Sequence, residues 1–69
     1  MKIPVKVIAL KDSFGEIGYA RLTKGKSYNI HRMYILDFAI IDDGAKLVII
    51  KDNGVFDDII KIVYEHEED

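Results

Sequence analysis

Turns punctuate this chain at short intervals. Leu22-Thr23-Lys24-Gly25-Lys26 reads as a tight glycine turn that feeds directly into Ser27-Tyr28-Asn29-Ile30, and Asp42-Asp43-Gly44 and Asp52-Asn53-Gly54 follow it. Gly25 offers the positive φ that a chain reversal needs. Asp-Gly and Asn-Gly between apolar runs are signals for hairpins with turns of the primed type. The runs between these turns are rich in Ile and Val, as strands are. The expected fold is therefore a small sheet, bent and pinned at its corners, rather than a bundle of helices.

In residues 2–10, Ile3, Val5, Val7 and Ala9 share one parity, while Lys2, Pro4 and Lys6 take the other. That alternation predicts a first strand with one buried face. Pro4 cannot donate to a ladder and belongs at a strand start or an edge. Residues 11–21 carry two glycines and no clean period, which predicts a long loop or loose hairpin. Phe14, Ile17 and Tyr19 are too apolar for a solvated linker and should cap the core or form a contact surface. After Gly25, the apolar positions Tyr28 and Ile30 give way to Met33 and Ile35, a change of parity that predicts a bulge or sharp bend near His31 and Arg32. Residues 37–41 form a short strand. Leu47-Val48-Ile49-Ile50 is apolar on both parities and reads as a central strand. Val55 and Phe56 should open the next one. Residues 57–65 fit either period, and the preferred reading is one short helical turn near residues 57–59 followed by a last strand.

At 69 residues the chain makes a single domain with a thin core, and 49% apolar residues compensate. Residues 1–64 should form the domain and residues 65–69 a charged, frayed tail. With no cysteine, neither disulfides nor thiolate metal sites are available. No run reaches signal-peptide or membrane-span length, so the expectation is a cytoplasmic protein with no membrane partner. Charge is uneven. Residues 1–32 hold seven basic residues against two acids, and residues 33–69 hold three against ten. Such asymmetry can shape a polar surface for a partner.

The order of strand, long loop, Leu-Thr-x-Gly-Lys-x-Tyr at residues 22–28, bent strand, strand, Asp-Asn-Gly at residues 52–54 and last strand resembles the SH3-like barrel. More narrowly it is similar to small phage and prophage SH3-like proteins. The resemblance spans most of residues 2–64 and rests on turn motifs. It implies an all-β fold, a small five- to six-stranded SH3-like barrel, and a non-enzymatic binding or regulatory role, phage-encoded and acting on a host protein in the host cytoplasm. The chain departs from the pattern at Asp42-Asp43-Gly44 and lacks the Trp or Tyr-Pro pair after the second hairpin, which argues against a proline-recognising groove.

Catalytic and cofactor chemistry finds little support. Gly25-Lys26-Ser27 imitates the end of a phosphate loop, but Ala20 stands where the first glycine is needed and a strand follows instead of a helix. Nothing in the spacing brings Ser13 or Ser27 to His31 with an acid behind it. His66 beside Glu65, Glu67 and Glu68 is a poor cage for a metal. Asp42 with Asp43, and Asp57 with Asp58, are already explained as turn and cap residues. We therefore expect no cofactor, no metal and no enzyme.

Three binding surfaces remain. The leading one is for a protein partner and uses Tyr19, Tyr34, Phe38 and Phe56 or an unpaired edge, through which a homodimer would also form. A second places Asp42, Asp43, Asp52, Asp57 and Asp58 in a row that imitates nucleic-acid phosphates and inhibits a nucleic-acid enzyme. A third clusters Lys24, Lys26 and Arg32 with Tyr28 and Tyr34 for base stacking. The net charge of −2 speaks against nucleic acid as a partner.

Overall fold

The computed structural model describes residues 2–66 of the chain. The strands are β1 (Lys2–Ala9), β2 (Ser13–Phe14), β3 (Arg21–Leu22), β4 (Ser27–Met33), β5 (Asp37–Ile41), β6 (Leu47–Lys51) and β7 (Ile60–His66). Five of them form one sheet in the order β6-β5-β4-β1-β7, and β2 pairs with β3 in a separate two-stranded hairpin. Every pairing is antiparallel. Among the described residues, no helix is long and apolar enough to cross a membrane.

β4 is the strand on which the sheet turns. Its first half pairs with β1 (Val7 with Tyr28) and its second half with β5 (Ile30 with Ile40). The register shifts between Ile30 and Arg32, so His31 is the extra residue of a bulge. The parity change in the sequence is this bulge. It keeps Tyr28, Ile30 and then Met33 on the inner face, because Met33 lies opposite buried Phe38. A second shift, between Pro4 and Lys6, removes Val5 from the β1–β7 ladder. The inner face of β1 therefore runs through Pro4, Val7 and Ala9, and the simple alternation of Ile3, Val5, Val7 and Ala9 is broken in the middle.

The core lies inside the bend. Val7, Ala9, Tyr28, Phe38, Ile40, Val48, Ile50 and Ile60 come from the large sheet, and Ile17, Ala20 and Leu22 come from the β2–β3 region. Of the long loop or loose hairpin expected at residues 11–21, the hairpin is found, with two short strands, and its apolar residues divide. Ile17 is buried, whereas Phe14 and Tyr19 face solvent under cations, Arg21 at 5.2 Å from the Phe14 ring and Lys46 at 5.5 Å from the Tyr19 ring.

Three expectations need correction. The Asp42-Asp43-Gly44 turn is not a two-residue primed turn. β5 ends at Ile41 and β6 begins at Leu47, and the left-handed residue is Ala45 (φ 60°), not Gly44. The Asp42 side chain imposes this shape, as described below. Asp52-Asn53-Gly54 does not close a hairpin either. The strands on its two sides, β6 and β7, lie at opposite edges of the sheet order, and β7 pairs with β1. Val55 and Phe56 sit inside that connection. It includes a single turn in which the Ile59 and Ile60 N–H groups both donate to the Phe56 carbonyl, at 2.9 and 3.0 Å, before β7 starts at Ile60. Finally, β6 is an edge strand, not a central one. Val48 and Ile50 are buried, and Leu47 and Ile49 are exposed on the outer face.

β7 continues through His66, so Glu65 and His66 belong to the sheet rather than to a tail. Glu67, Glu68 and Asp69 lie outside the described residues.

Candidate functional site

The two ends of the β4–β5 hairpin hold most of the residues with chemical potential. One end is polar. There the chain enters β4 at Ser27 and leaves β5 at Ile41, so Tyr28, Asp42 and Asp43 meet the turn after β3. Asp42 is buried, and its carboxylate accepts three backbone N–H groups: Arg21 at 2.8 Å, Gly44 at 2.9 Å and Lys46 at 2.8 Å. Burial alone would raise its pKa, but these N–H donors outweigh it and hold the carboxyl below the ordinary range. The next residue extends the network. Asp43 accepts from the Lys26 ammonium, from Thr23 Oγ1 at 2.7 Å and from the Tyr28 hydroxyl at 3.1 Å. Lys26 is the main reason its pKa is lowered, and the same contact raises that of Lys26. The Tyr28 hydroxyl also receives the Thr23 N–H at 2.8 Å, and burial is the chief cause of its raised pKa.

This network removes residues from both charge-based surfaces. Asp42 and Asp43 are consumed in joining β3 to the β5–β6 turn, so they cannot stand in a solvated row with Asp52, Asp57 and Asp58. Tyr28 has no free face for a base, because its ring is in the core and its hydroxyl is engaged. Lys26 is tied to Asp43, while Lys24 in the turn and Arg32 beyond the bulge are separated by most of the length of β4.

The other end is apolar. The Tyr34 N–H donates to the Asp37 carbonyl at 2.9 Å, which leaves Ile35 and Leu36 as the tip. Ile35 is 98% exposed and Leu36 78%, with Met33 and Tyr34 also exposed beside them. A shallow cleft of about 210 Å³ lies against the tip and is lined by Pro4, Met33, Tyr34, Leu36 and Asp52, among others. The Asp52 N–H reaches the Leu36 carbonyl at 3.4 Å, so the start of the β6–β7 connection borders the tip. Asp52 also accepts from the Tyr64 hydroxyl at 2.8 Å. Burial first, and then Asp52, pushes the Tyr64 pKa up to about 12.

The aromatic residues expected on a protein-binding surface are scattered. Tyr34 belongs to the tip. Tyr19 is exposed but sits at the polar end, where Lys46 donates to the neighbouring Gly18 carbonyl at 2.6 Å. Phe38 is fully buried in the core and contributes no surface, because β5 lies between β6 and β4 and turns this side chain to the inner face. Phe56 is half-buried against the core. Met33 and Ile35 are expected from the sequence as residues of the bent strand, and neither they nor Leu36 as part of a binding surface; the structure gathers all three beside Tyr34. Their signal was available: four apolar residues in succession, Met33-Tyr34-Ile35-Leu36, cannot all face one side of a strand.

Among the described residues, no nucleophile and base are brought together. His31 is the exposed bulge residue, and Ser13 Oγ donates to Glu16 at 2.7 Å, which lowers the Glu16 pKa. No protein-family model matches the chain, and comparisons with characterised proteins and with solved structures find no match.

Proposed function

We propose that this chain is a small protein-binding module of SH3-like architecture whose docking surface is the tip of the β4–β5 hairpin. The observation that carries the reading is the unbroken exposed apolar run of residues 33–36. Soluble chains seldom expose several large apolar side chains together unless something covers them. The architecture is supported by the bulged β4, shared between two half-sheets, since bulges and strong strand bends are how short sheets curl toward a barrel. The tip offers a two-residue turn closed by the Tyr34–Asp37 backbone bond, an aromatic ring and a cleft at its base, which suits a short apolar segment of a partner. The resemblance to phage SH3-like proteins points to a host protein as that partner, with the module acting by occupancy and not by catalysis.

The test is capture on the immobilised chain from a bacterial lysate, comparing wild type with Ile35→Ser/Leu36→Ser and with Asp57→Lys/Asp58→Lys. A discrete protein retained by wild type and by the aspartate variant, and lost from the tip variant, is the expected result. Equal retention by the tip variant would sink this reading. Loss from the aspartate variant alone would revive the acidic surface.

A further inference from the structure

Among the described residues, β6 ends the large sheet without a neighbour on its outer side. The orientation of its backbone groups follows from the contacts at its two ends. The Asp42 N–H donates to the Lys46 carbonyl at 3.0 Å, and the Asp52 N–H donates to the Leu36 carbonyl. With Ile40 opposite Val48 and Phe38 opposite Ile50, residues 46, 48, 50 and 52 direct their N–H and C=O groups toward β5. Leu47, Ile49 and Lys51 therefore direct theirs outward, away from the sheet. An edge of this kind is a template for another strand.

We infer that β6 pairs with β6 of a second copy of this chain, antiparallel about a two-fold axis at Ile49. Only a pairing that sets outward-directed residues opposite one another can form hydrogen bonds. Of those, the register with Ile49 facing Ile49 places Leu47 against Lys51 of the partner, so that every outward group of β6 is used. The same register sets Lys46 opposite Asp52 of the other copy, at both ends of the joint, in the non-hydrogen-bonded positions where facing side chains lie closest. Neither Lys46 nor Asp52 forms an ion pair among the described residues. Lys46 donates to the Gly18 carbonyl, and Asp52 accepts from a neutral tyrosine. A slip of two residues sets Lys46 against Ile50 or Asp52 against Val48, and the charge match is lost. On the outer face, the joint brings together the two exposed Ile49 side chains and covers Leu47 with the stem of Lys51. The second copy is thus selected by hydrogen-bond phase and by charge together. The edge ends beside the apolar tip at Asp52 but does not use it.

A joint of one short strand pair is small, so the association should be weak, with Kd on the order of 10–1000 µM. Sedimentation of the full chain from roughly 10 µM to roughly 1 mM should show a monomer–dimer equilibrium, and amide exchange at Ile49 should slow with concentration while that of Val48 does not change. Ile49→Pro removes only an outward N–H, which an edge strand tolerates. It should stay folded by circular dichroism and remain monomeric. Lys46→Glu and Asp52→Lys should each weaken the dimer about fivefold, and the double reversal should recover to within about twofold of wild type. The Ile35→Ser/Leu36→Ser variant should dimerise as wild type does, which separates this edge from the tip. A monomer at every concentration, an unchanged dimer in Ile49→Pro, a double reversal no tighter than the single ones, or loss of the dimer in the tip variant would each overturn the pairing. So would open-ended growth, the signature of β6 joining β7 head to tail.

Discussion

The two ends of the β4–β5 hairpin, at Leu36 and at Asp42, lie about 20 Å apart at the usual rise of ~3.4 Å per residue, and they are built on opposite terms. At the Asp42 end, polar side chains turn inward and satisfy backbone groups that burial would otherwise strand. At the Ile35 end, apolar side chains turn outward and satisfy nothing within the chain. The first arrangement spends its side chains on the fold. The second leaves them for something else. In so small a domain the contrast teaches that function is sought where side chains do least for stability, and the charged end, chemically the richer of the two, is structural.

If that division is right, its largest consequence is at Asp42. Removing its carboxylate in Asp42→Ala deprives three N–H groups of their acceptor at once. At about 1 kcal/mol for each such bond, the loss is about 3 kcal/mol, which in a domain of this size lowers Tm by about 15 °C. Thermal unfolding followed by circular dichroism checks it. By comparison, the exposed Lys26–Asp43 pair is screened by water, so Lys26→Ala should have little effect. A Tm for Asp42→Ala within 3 °C of wild type would erase the distinction between the two ends.

The pH dependence tests the same end without mutation. The folded pKa values of Asp42 and Asp43 are lowered, so their contribution is present above the unfolded value of about 3.9 and is lost as pH falls through the folded values. Tyr28, Tyr64 and Lys26 are shifted the other way. Their contribution is complete below the unfolded values of about 10 and is lost as pH rises beyond them, for Tyr64 through a folded value of about 12. Urea unfolding should therefore show a plateau in the neutral range, an acid limb below about pH 4 and an alkaline limb above about pH 10. Asp42→Asn should flatten the acid limb.

Tyr28 sharpens the comparison, because it joins the core to the polar network through one hydroxyl. Tyr28→Phe keeps the ring and leaves the Thr23 N–H without its acceptor. The expected loss is about 1–2 kcal/mol, less than at Asp42 because a single acceptor is removed. A urea titration resolves the two variants, and an equal loss would mean that the network fails as one unit.

The turn between these residues shows how far the sequence could be read. The all-β character, the strand at β5, the turn at Gly25 (φ 83°) and the bulge at His31 were legible, because local chemistry alone determines each of them. The edge position of β6 and the course of the Asp52-Asn53-Gly54 connection were not, since a long-range choice, β7 joining β1, decides both. The tip was legible only in part: Ile35 and Leu36 adopt no positive φ, so their turn needs neither glycine nor asparagine, and the apolar run of residues 33–36 alone marks it. At Asp42-Asp43-Gly44 the local signal was present and misleading. Asp42 pins the N–H groups of Gly44 and Lys46, and Ala45 is forced to φ 60° between them. Ala45→Gly should therefore stabilise the fold by about 1 kcal/mol, since the left-handed region disfavours a Cβ by that order. Gly44→Ala should have almost no effect, because its added Cβ meets the Asp42 carboxylate at 3.5 Å and the Arg21 Cδ at 4.0 Å, both ordinary contacts. Thermal melts of the two variants check both signs; the reverse order would restore a primed turn.

The smallest expected effect is at the tip, and it weighs most on the comparison. Replacing a buried Ile by Ser would cost several kcal/mol, but Ile35 has almost no neighbours to lose. Ile35→Ser/Leu36→Ser should leave ΔG of unfolding within about 0.5 kcal/mol of wild type, as at surface positions free of caps and strained backbone. The turn itself persists, because it is held by backbone contacts from Tyr34 to Asp37 and from Asp52 to Leu36. Binding of a hydrophobic dye should fall in the same variant, since the two most exposed apolar side chains of the run at residues 33–36 are gone. A substantial loss of stability would show that the tip packs against the fold in solution, and its side chains would then belong to the same economy as those of Asp42. An unchanged ΔG together with lost dye binding is the pattern of a surface maintained for a partner.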